Sequence, residues 1–270
     1  MTSLDDAHNH LHDERLSALR PEFDAIARRI PIRHSVVNGT SESDWQDVSN
    51  LAAEHDWIIP SFGLHPWHVK ARSADWLETL ESFLTRHPTS AIGEIGLDRW
   101  IEHPDIDAQT ECFLAQLDLA RRLKRPCTIH CLKAWGLLEE ILHRVEPLPC
   151  GFLLHSYGGS REMISTFAKL GAYFSISPYF AHERKAAQRE NFRHIAIDRL
   201  LIETDAPDMW PPEAVNPNPL ANGEGGSINH PSNLTVSLDL LMKERNLEEH
   251  ELRENLRENF SRLFLRTSTP

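Results

Sequence analysis

Residues Ser90–Leu132 read SAIGEIGLDRWIEHPDIDAQTECFLAQLDLARRLKRPCTIHCL. Ser90–Asp98 is a short apolar run punctuated by glycine, the pattern of a strand. DAQTECFLAQLDLARRLKR, Asp107–Arg125, places apolar side chains at helical spacing, and Pro126 stops it. CTIHCL, Cys127–Leu132, is a strand again. A strand, a long amphipathic helix and a second strand make a βαβ unit with parallel strands.

Outward from this unit the alternation continues in both directions. Upstream, a first strand runs into His8, a helix is expected over Glu14–Ile30, a strand over Ile32–Gly39 and a helix over Ser41–His55. A third strand ends near Gly63, and Ser73–His87 is helical. Downstream, Ala134–Glu146 is a helix, Gly151–Gly159 a strand running into a glycine turn, and Ser160–Gly171 a helix with Gly171 as its C-cap. Ala172–Ser177 is the seventh strand, Arg184–Ala196 a polar helix and Arg199–Asp205 the eighth strand. The chain from Pro231 onward is helical in two pieces. Eight βα units of about 30 residues predict a closed (β/α)8 TIM barrel, one domain spanning residues 1–270, with an open doubly wound sheet as the alternative. The irregular stretch Pro211–Pro231 follows strand eight and is expected to lie over the barrel mouth.

Composition sets bounds on function. No apolar run approaches the ~20 residues of a membrane helix, and no secretory signal is visible. Cys112, Cys127, Cys131 and Cys150 include no CxxC pair and suit reduced thiols, so a cytoplasmic protein is expected, and a monomer. The net charge of −12 argues against stable coating of nucleic acid, which needs basic surface.

The chemistry sits at strand ends. DDAHNHLHD, Asp5–Asp13, packs His8, His10 and His12 into five positions. His-x-His on an extended strand puts two imidazoles on one side. His65, Glu94, His130, His155 and Asp205 stand at or near the ends of later strands, and in a barrel all of these positions share the C-terminal rim. His8, His10, Glu94, His130, His155 and Asp205 form a nitrogen and oxygen ligand set for divalent metals. Six ligands exceed one tetrahedral ion and suit two ions bridged by a carboxylate. Four histidines favour Zn²⁺ or Mn²⁺ over Mg²⁺, which stays possible. A carboxylate such as Glu94 inside an apolar strand is costly unless partnered. His12 lies beyond the strand and reads as structural, as does His34 within strand two. Trp45, Trp57 and Trp76 read as packing residues, and thiolate ligation by Cys127 or Cys131 is not expected.

DAHNH (Asp6–His10), GLHP (Gly63–Pro66), GEIGLD (Gly93–Asp98), TIHC (Thr128–Cys131), HSYGGS (His155–Ser160), LIETDAP (Leu201–Pro207) and ENFSRLF (Glu258–Phe264) occur in the order of the signatures of TatD-like metal-dependent deoxyribonucleases. The chain resembles that family over almost its whole length. The resemblance implies a TIM barrel, a two-metal site and DNA hydrolysis. By motif match it implies His8, His10, Glu94, His130, His155 and Asp205 as ligands, with His65 beside the site on the substrate phosphate. Two features depart from the family pattern: Leu132 and Lys133 stand where an Arg-Asp pair is usual, and EGGSINHP, Glu224–Pro231, lacks the basic residues usual after strand eight.

The expected activity is phosphodiester hydrolysis, a deoxyribonuclease of 3′-exonuclease type acting on DNA or a small phosphodiester, with hydroxide generated at a metal pair. Glu94 is the expected bridge, Asp205 ligand and proton acceptor, and His65, Lys133 and Tyr157 the expected substrate contacts. Arginine at position 229 is expected to restore affinity for single-stranded DNA. An amidohydrolase cleaving a C–N or ester bond, and a metal-binding scaffold without turnover, are the rival readings.

Overall fold

A computed structural model describes residues 3–221 and 226–265. Eight parallel strands pair in sequence order: β1 (Leu4–Asn9), β2 (Ile32–Asn38), β3 (Ile58–Phe62), β4 (Ala91–Asp98), β5 (Cys127–Leu132), β6 (Phe152–Leu154), β7 (Ala172–Ile176) and β8 (Leu200–Ile202). Between them run α1 (Phe23–Arg29), α2 (Trp45–Glu54), α3 (Trp76–Arg86), α4 (Ile106–Leu123), α5 (Trp135–Arg144), α6 (Arg161–Lys169) and α7 (Ala186–Glu190). A two-stranded ribbon, β9 (Leu220–Ala221) with β10 (Ser227–Ile228), follows β8, and α8 (Leu234–Arg245) and α9 (Glu249–Phe264) end the chain. The architecture is the (β/α)8 barrel that the alternation predicts.

Where β8 returns to β1, the seam is held by side chain as well as backbone. The buried Asp6 carboxylate accepts from Thr204 N at 3.0 Å and Thr204 Oγ1 at 2.5 Å. Beyond it, Asp205 N donates to His8 O and His10 N to Ala206 O, at 2.9 and 2.8 Å. Burial drives the Asp6 pKa up to about 7 against these donors.

Inside the barrel, Ala7, Val36, Ile59, Ala91, Leu153, Tyr173 and Leu201 cluster with Phe260, Leu263 and Phe264 of α9. Seven of the eight strands contribute one residue each, as expected of side chains that fill a barrel interior in stacked layers. Leu153 and His155 are two residues apart, as are Leu201 and Glu203, so each pair shares a face. The apolar ring is therefore the floor under the polar rim, and the ENFSRLF segment of α9 plugs it from below.

Two expected helices are shorter than their sequence pattern. Glu14–Glu22 is 3₁₀, with Pro21 inside it, and the α-helix begins only at Phe23. Proline removes an N–H donor and opposes α-helical continuation through its ring. After β7 only five residues are α-helical, with 3₁₀ turns on either side, because Phe192 and Ile195 are the buried apolar anchors of that polar segment. Strand six ends at Leu154, since Ser156 takes the left-handed φ of 41°.

Candidate active site

The strand ends place one tight constellation in the mouth. His8 lies on β1 and His10 one residue past it; Glu94 is midway along β4, His130 is on β5, His155 directly follows β6 and Asp205 follows β8 by three residues. Glu94 is at the centre, and its two oxygens face different partners. Oε2 lies 3.5 Å from His8 Nε2 and 3.3 Å from His10 Nε2. Oε1 lies 3.1 Å from His130 Nδ1, 2.8 Å from His155 Nε2 and 3.5 Å from His65 Nε2. Asp205 Oδ1 lies 3.4 Å from His8 Nε2 and 3.5 Å from His10 Nε2. The ligand atoms fall into three groups of metal-binding compactness: His8–His155–Asp205, His8–His10–Glu94 and His65–Glu94–His130.

Buried carboxylates and backbone orient the imidazoles. His10 Nδ1 donates to Asn38 O at 2.7 Å, which leaves Nε2 bare toward Glu94 and Asp205. His130 Nε2 donates to Asp98 Oδ2 at 3.1 Å, so Nδ1 faces Glu94. His155 turns Nδ1 toward Glu203 Oε1 at 3.6 Å. Glu203 is fully buried and accepts from Ser156 Oγ at 2.6 Å and from Ser175 Oγ. Asp98, also fully buried, accepts in addition from Trp67 Nε1 at 2.7 Å and Trp100 N at 2.6 Å.

Helix α4 fixes two of these segments. Gln109 clamps Asp98 through both its backbone N and O, and Gln116 does the same to Leu64, beside His65. The glutamines are seven positions apart, two helical turns, and so share one face.

Charge in the cluster is short of cations. Burial opposes protonation of His10, but hydrogen bonds and charge from Asp205 and Glu94 outweigh it and raise its pKa well above the usual imidazole value. Burial likewise opposes protonation of His155, and Glu94 with Glu203 outweighs it. In Glu94 itself burial favours the neutral acid, and the surrounding imidazoles, His155 foremost, nevertheless hold its pKa well below the usual value. Divalent cations would supply the positive charge that protons otherwise bring. His8 makes the fit concrete: it is fully buried, and neither ring nitrogen has a hydrogen-bond partner among the described residues. An orphaned buried imidazole nitrogen aimed at two carboxylates is a ligand atom's environment.

The remaining expected residues fall at different distances from this centre. His65 is buried beside it, and Trp67 N donates to its Nδ1 at 3.2 Å, so Nε2 carries the proton toward Glu94. Burial pushes the His65 pKa down to about 4, which keeps the ring neutral. Lys133 is exposed on the rim just past β5, with a left-handed φ of 55°. Tyr157 is not a rim contact: it is fully buried, donates from its hydroxyl to Ser160 O at 2.7 Å and packs against Trp135 and Phe174. Asn229 is also buried, holding Thr204 O at 2.7 Å through Nδ2 and accepting from Asn233, so an arginine there would break the rim rather than reach solvent. Glu224 and Gly225 of the stretch after β8 lie outside the described residues. His12 pairs with Asp44 at 3.5 Å, and His34 with Asp5 at 3.0 Å while stacking on Phe260.

A (β/α)8 barrel with carboxylates and oriented imidazoles converging at its C-terminal mouth defines the class: this is a metal-dependent hydrolase. Among known proteins, the family described as TatD related DNase matches residues 5–265, and the chain belongs to it. A 3′-5′ ssDNA/RNA exonuclease TatD from a Pantoea species is 32% identical over 202 residues, 74% of this chain and 77% of its own. The metal-dependent hydrolase YjjV of Escherichia coli is 29% identical over 231 residues, 85% of each chain. Its crystal structure superposes with a TM-score of 0.87, covering 98% of both chains at 27% identity. A TatD family hydrolase from Entamoeba histolytica shares the fold at a TM-score of 0.86, 16% identity and 98% and 99% coverage.

Among the described residues no helix is long and apolar enough to cross a membrane.

Proposed function

We propose that the cluster holds two divalent cations, Zn²⁺ or Mn²⁺ in preference to Mg²⁺, and that the enzyme hydrolyses phosphodiester bonds from the 3′ end of single-stranded DNA. The observation that carries this reading is the division of Glu94: one oxygen faces His8 and His10, the other His130 and His155. A bridging carboxylate between two sets of nitrogen ligands suits a two-cation site, with Asp205 completing the His8 side. When bound, such cations polarise the phosphodiester and acidify water.

The chain's own groups do the rest. Asp205, at the cluster's edge over the β8–β1 seam, accepts the proton of the attacking water. His65 is neutral with its proton on Nε2, so it donates to a non-bridging phosphate oxygen and stabilises charge that grows in the transition state. Asn38 and Asp98 hold the His10 and His130 imidazoles by hydrogen bonds, and Glu203 faces His155, so that little reorganisation is needed during the reaction. The relative named as an exonuclease on single-stranded DNA and RNA supports the substrate class. One chain supplies every residue of the site, which supports a monomeric enzyme, and a sequence without a CxxC pair suits the cytoplasm.

Stripping with a chelator, reconstitution with single metals, and a screen on single-stranded DNA, duplex DNA, RNA, bis-p-nitrophenyl phosphate and amide substrates tests the reading. The expected result is metal-restored 3′-end hydrolysis of single-stranded DNA that Asp205→Asn abolishes. Cleavage of amides with no phosphodiester turnover under any metal overturns it.

A further inference from the structure

Three tryptophans stand exposed after rim-facing strand ends: Trp67 after β3, Trp100 after β4 and Trp210 after β8. Single exposed apolar residues need no explanation, but Trp67 differs from a casual one. It is 55% exposed and yet held on two sides. Its Nε1–H donates to the buried Asp98 at 2.7 Å, and its ring meets His65 edge-on with centroids 5.0 Å apart. The indole centroid is 6.4 Å from that of His130, which Asp98 also holds. A half-open aromatic surface, fixed by Asp98 and His65, therefore borders the cluster. Trp100, 61% exposed, starts from a backbone N tied to the same Asp98.

We propose that Trp67 is a base-stacking platform: the base next to the scissile phosphate lies on its indole, which makes an unpaired base part of what the site recognises. The proposal rests on the phosphodiesterase reading and names what selects the substrate there. Electrostatic grip on distal phosphates is weak in this chain, whose net charge is −12 and whose Gly226–Pro231 segment carries no lysine or arginine. Stacking on an aromatic ring needs no charge, resists salt and is open to every base. A base inside a duplex stack cannot reach the platform, so single strands are favoured.

The test compares an oligodeoxynucleotide with the same strand carrying tetrahydrofuran abasic residues at its 3′ end. Wild type, Trp67→Ala and Trp67→Phe are assayed as reconstituted holoenzymes. Loss of stacking lowers kcat/KM on the base-bearing strand by about 5- to 150-fold more than on the abasic strand. Trp67→Phe keeps a ring but not the Asp98 hydrogen bond, and is expected to retain most of the base preference. Equal losses on both strands, with Phe no better than Ala, overturn the proposal and assign Trp67 to orienting Asp98 alone. Hydrolysis of neither strand by the wild type instead overturns the phosphodiesterase reading itself.

Discussion

Replacing Asp98 with asparagine probes whether the groups behind the imidazoles control the site. The change keeps the shape and keeps an oxygen for Trp100 N and Ile101 N, which Oδ1 accepts at 2.6 and 3.3 Å. The other oxygen becomes an NH₂ facing two donors, Trp67 Nε1 and His130 Nε2. Half-exposed Trp67 can turn to water. His130 cannot, and its remaining recourse is to move its proton to Nδ1, the nitrogen that faces Glu94. A hydrogen bond to a charged partner contributes roughly 1.5–3 kcal/mol. Losing the His130 bond should then weaken cation binding by about 2 kcal/mol, or about 30-fold, within the 10–100-fold range usual for such outer partners. Calorimetric titration of the stripped protein with Zn²⁺ or Mn²⁺ measures it. Trp67→Phe is the control, since it removes only the indole donor. Wild-type affinity in Asp98→Asn, or an equal loss in Trp67→Phe, would refute the argument that Asp98 works through His130. A pH signature accompanies it. Burial favours the neutral Asp98, but His130 and Trp67 outweigh it and push the pKa from 3.8 down to about 2. A depressed carboxylate stabilises the fold above its unfolded pKa and loses that stabilisation as pH falls through the folded one. The melting-temperature gap between wild type and Asp98→Asn should therefore close between pH 4 and pH 2.

Asp205→Asn should abolish hydrolysis yet melt within a few degrees of wild type, because asparagine tolerates the left-handed φ of 56° at this position as aspartate does; a collapsed thermal transition would contradict this. His65→Ala should cost about 100-fold in kcat while elemental analysis finds metal content unchanged, the pattern of a lost transition-state donor; emptied metal sites would make His65 a ligand. Gly96→Ala should destabilise the protein by more than about 3 kcal/mol, since Gly96 has φ 143° and an added Cβ would sit 1.9 Å from the carbonyl oxygen of His130; an unchanged melting temperature and metal content would show that β4 yields there. Chelation should lower the melting temperature of the loaded enzyme, because cations that bind the folded state stabilise it by about 2.7 kcal/mol at a hundredfold excess over Kd; identical transitions with and without chelator would deny a folded-state site.

The barrel was legible because its strands are short apolar runs broken by helical periodicity, and the convergence of His8, His10, Glu94, His130, His155 and Asp205 follows from strand direction alone. Glu94 stood out as an acid within apolar sequence. The same reasoning applied to Asp98 and Glu203 would have found them, for they lie in the same GEIGLD and LIETDAP segments. Gln109 and Gln116 were hidden because polar residues in an amphipathic helix read as surface unless the neighbouring loop is known. Tyr157 was misread by proximity: adjacency to His155 in the chain says nothing about which way the ring turns, and the ring turns into Trp135 and Phe174. Asn229 was misread for the same reason, since a polar loop residue can be the hydrogen-bonding core of its loop.

The seam between β8 and β1 has a consequence for how the molecule is made. Asp6 and Thr204, which close it, are 198 residues apart, and the backbone link from Asp205 to His8 lies beside them. At 5–20 residues per second a ribosome needs roughly 10–40 s to cover that interval. Throughout it β1 has a free edge, and His8 and His10 have no Asp205. The proposed ligand set is thus complete only once the last strand has been made.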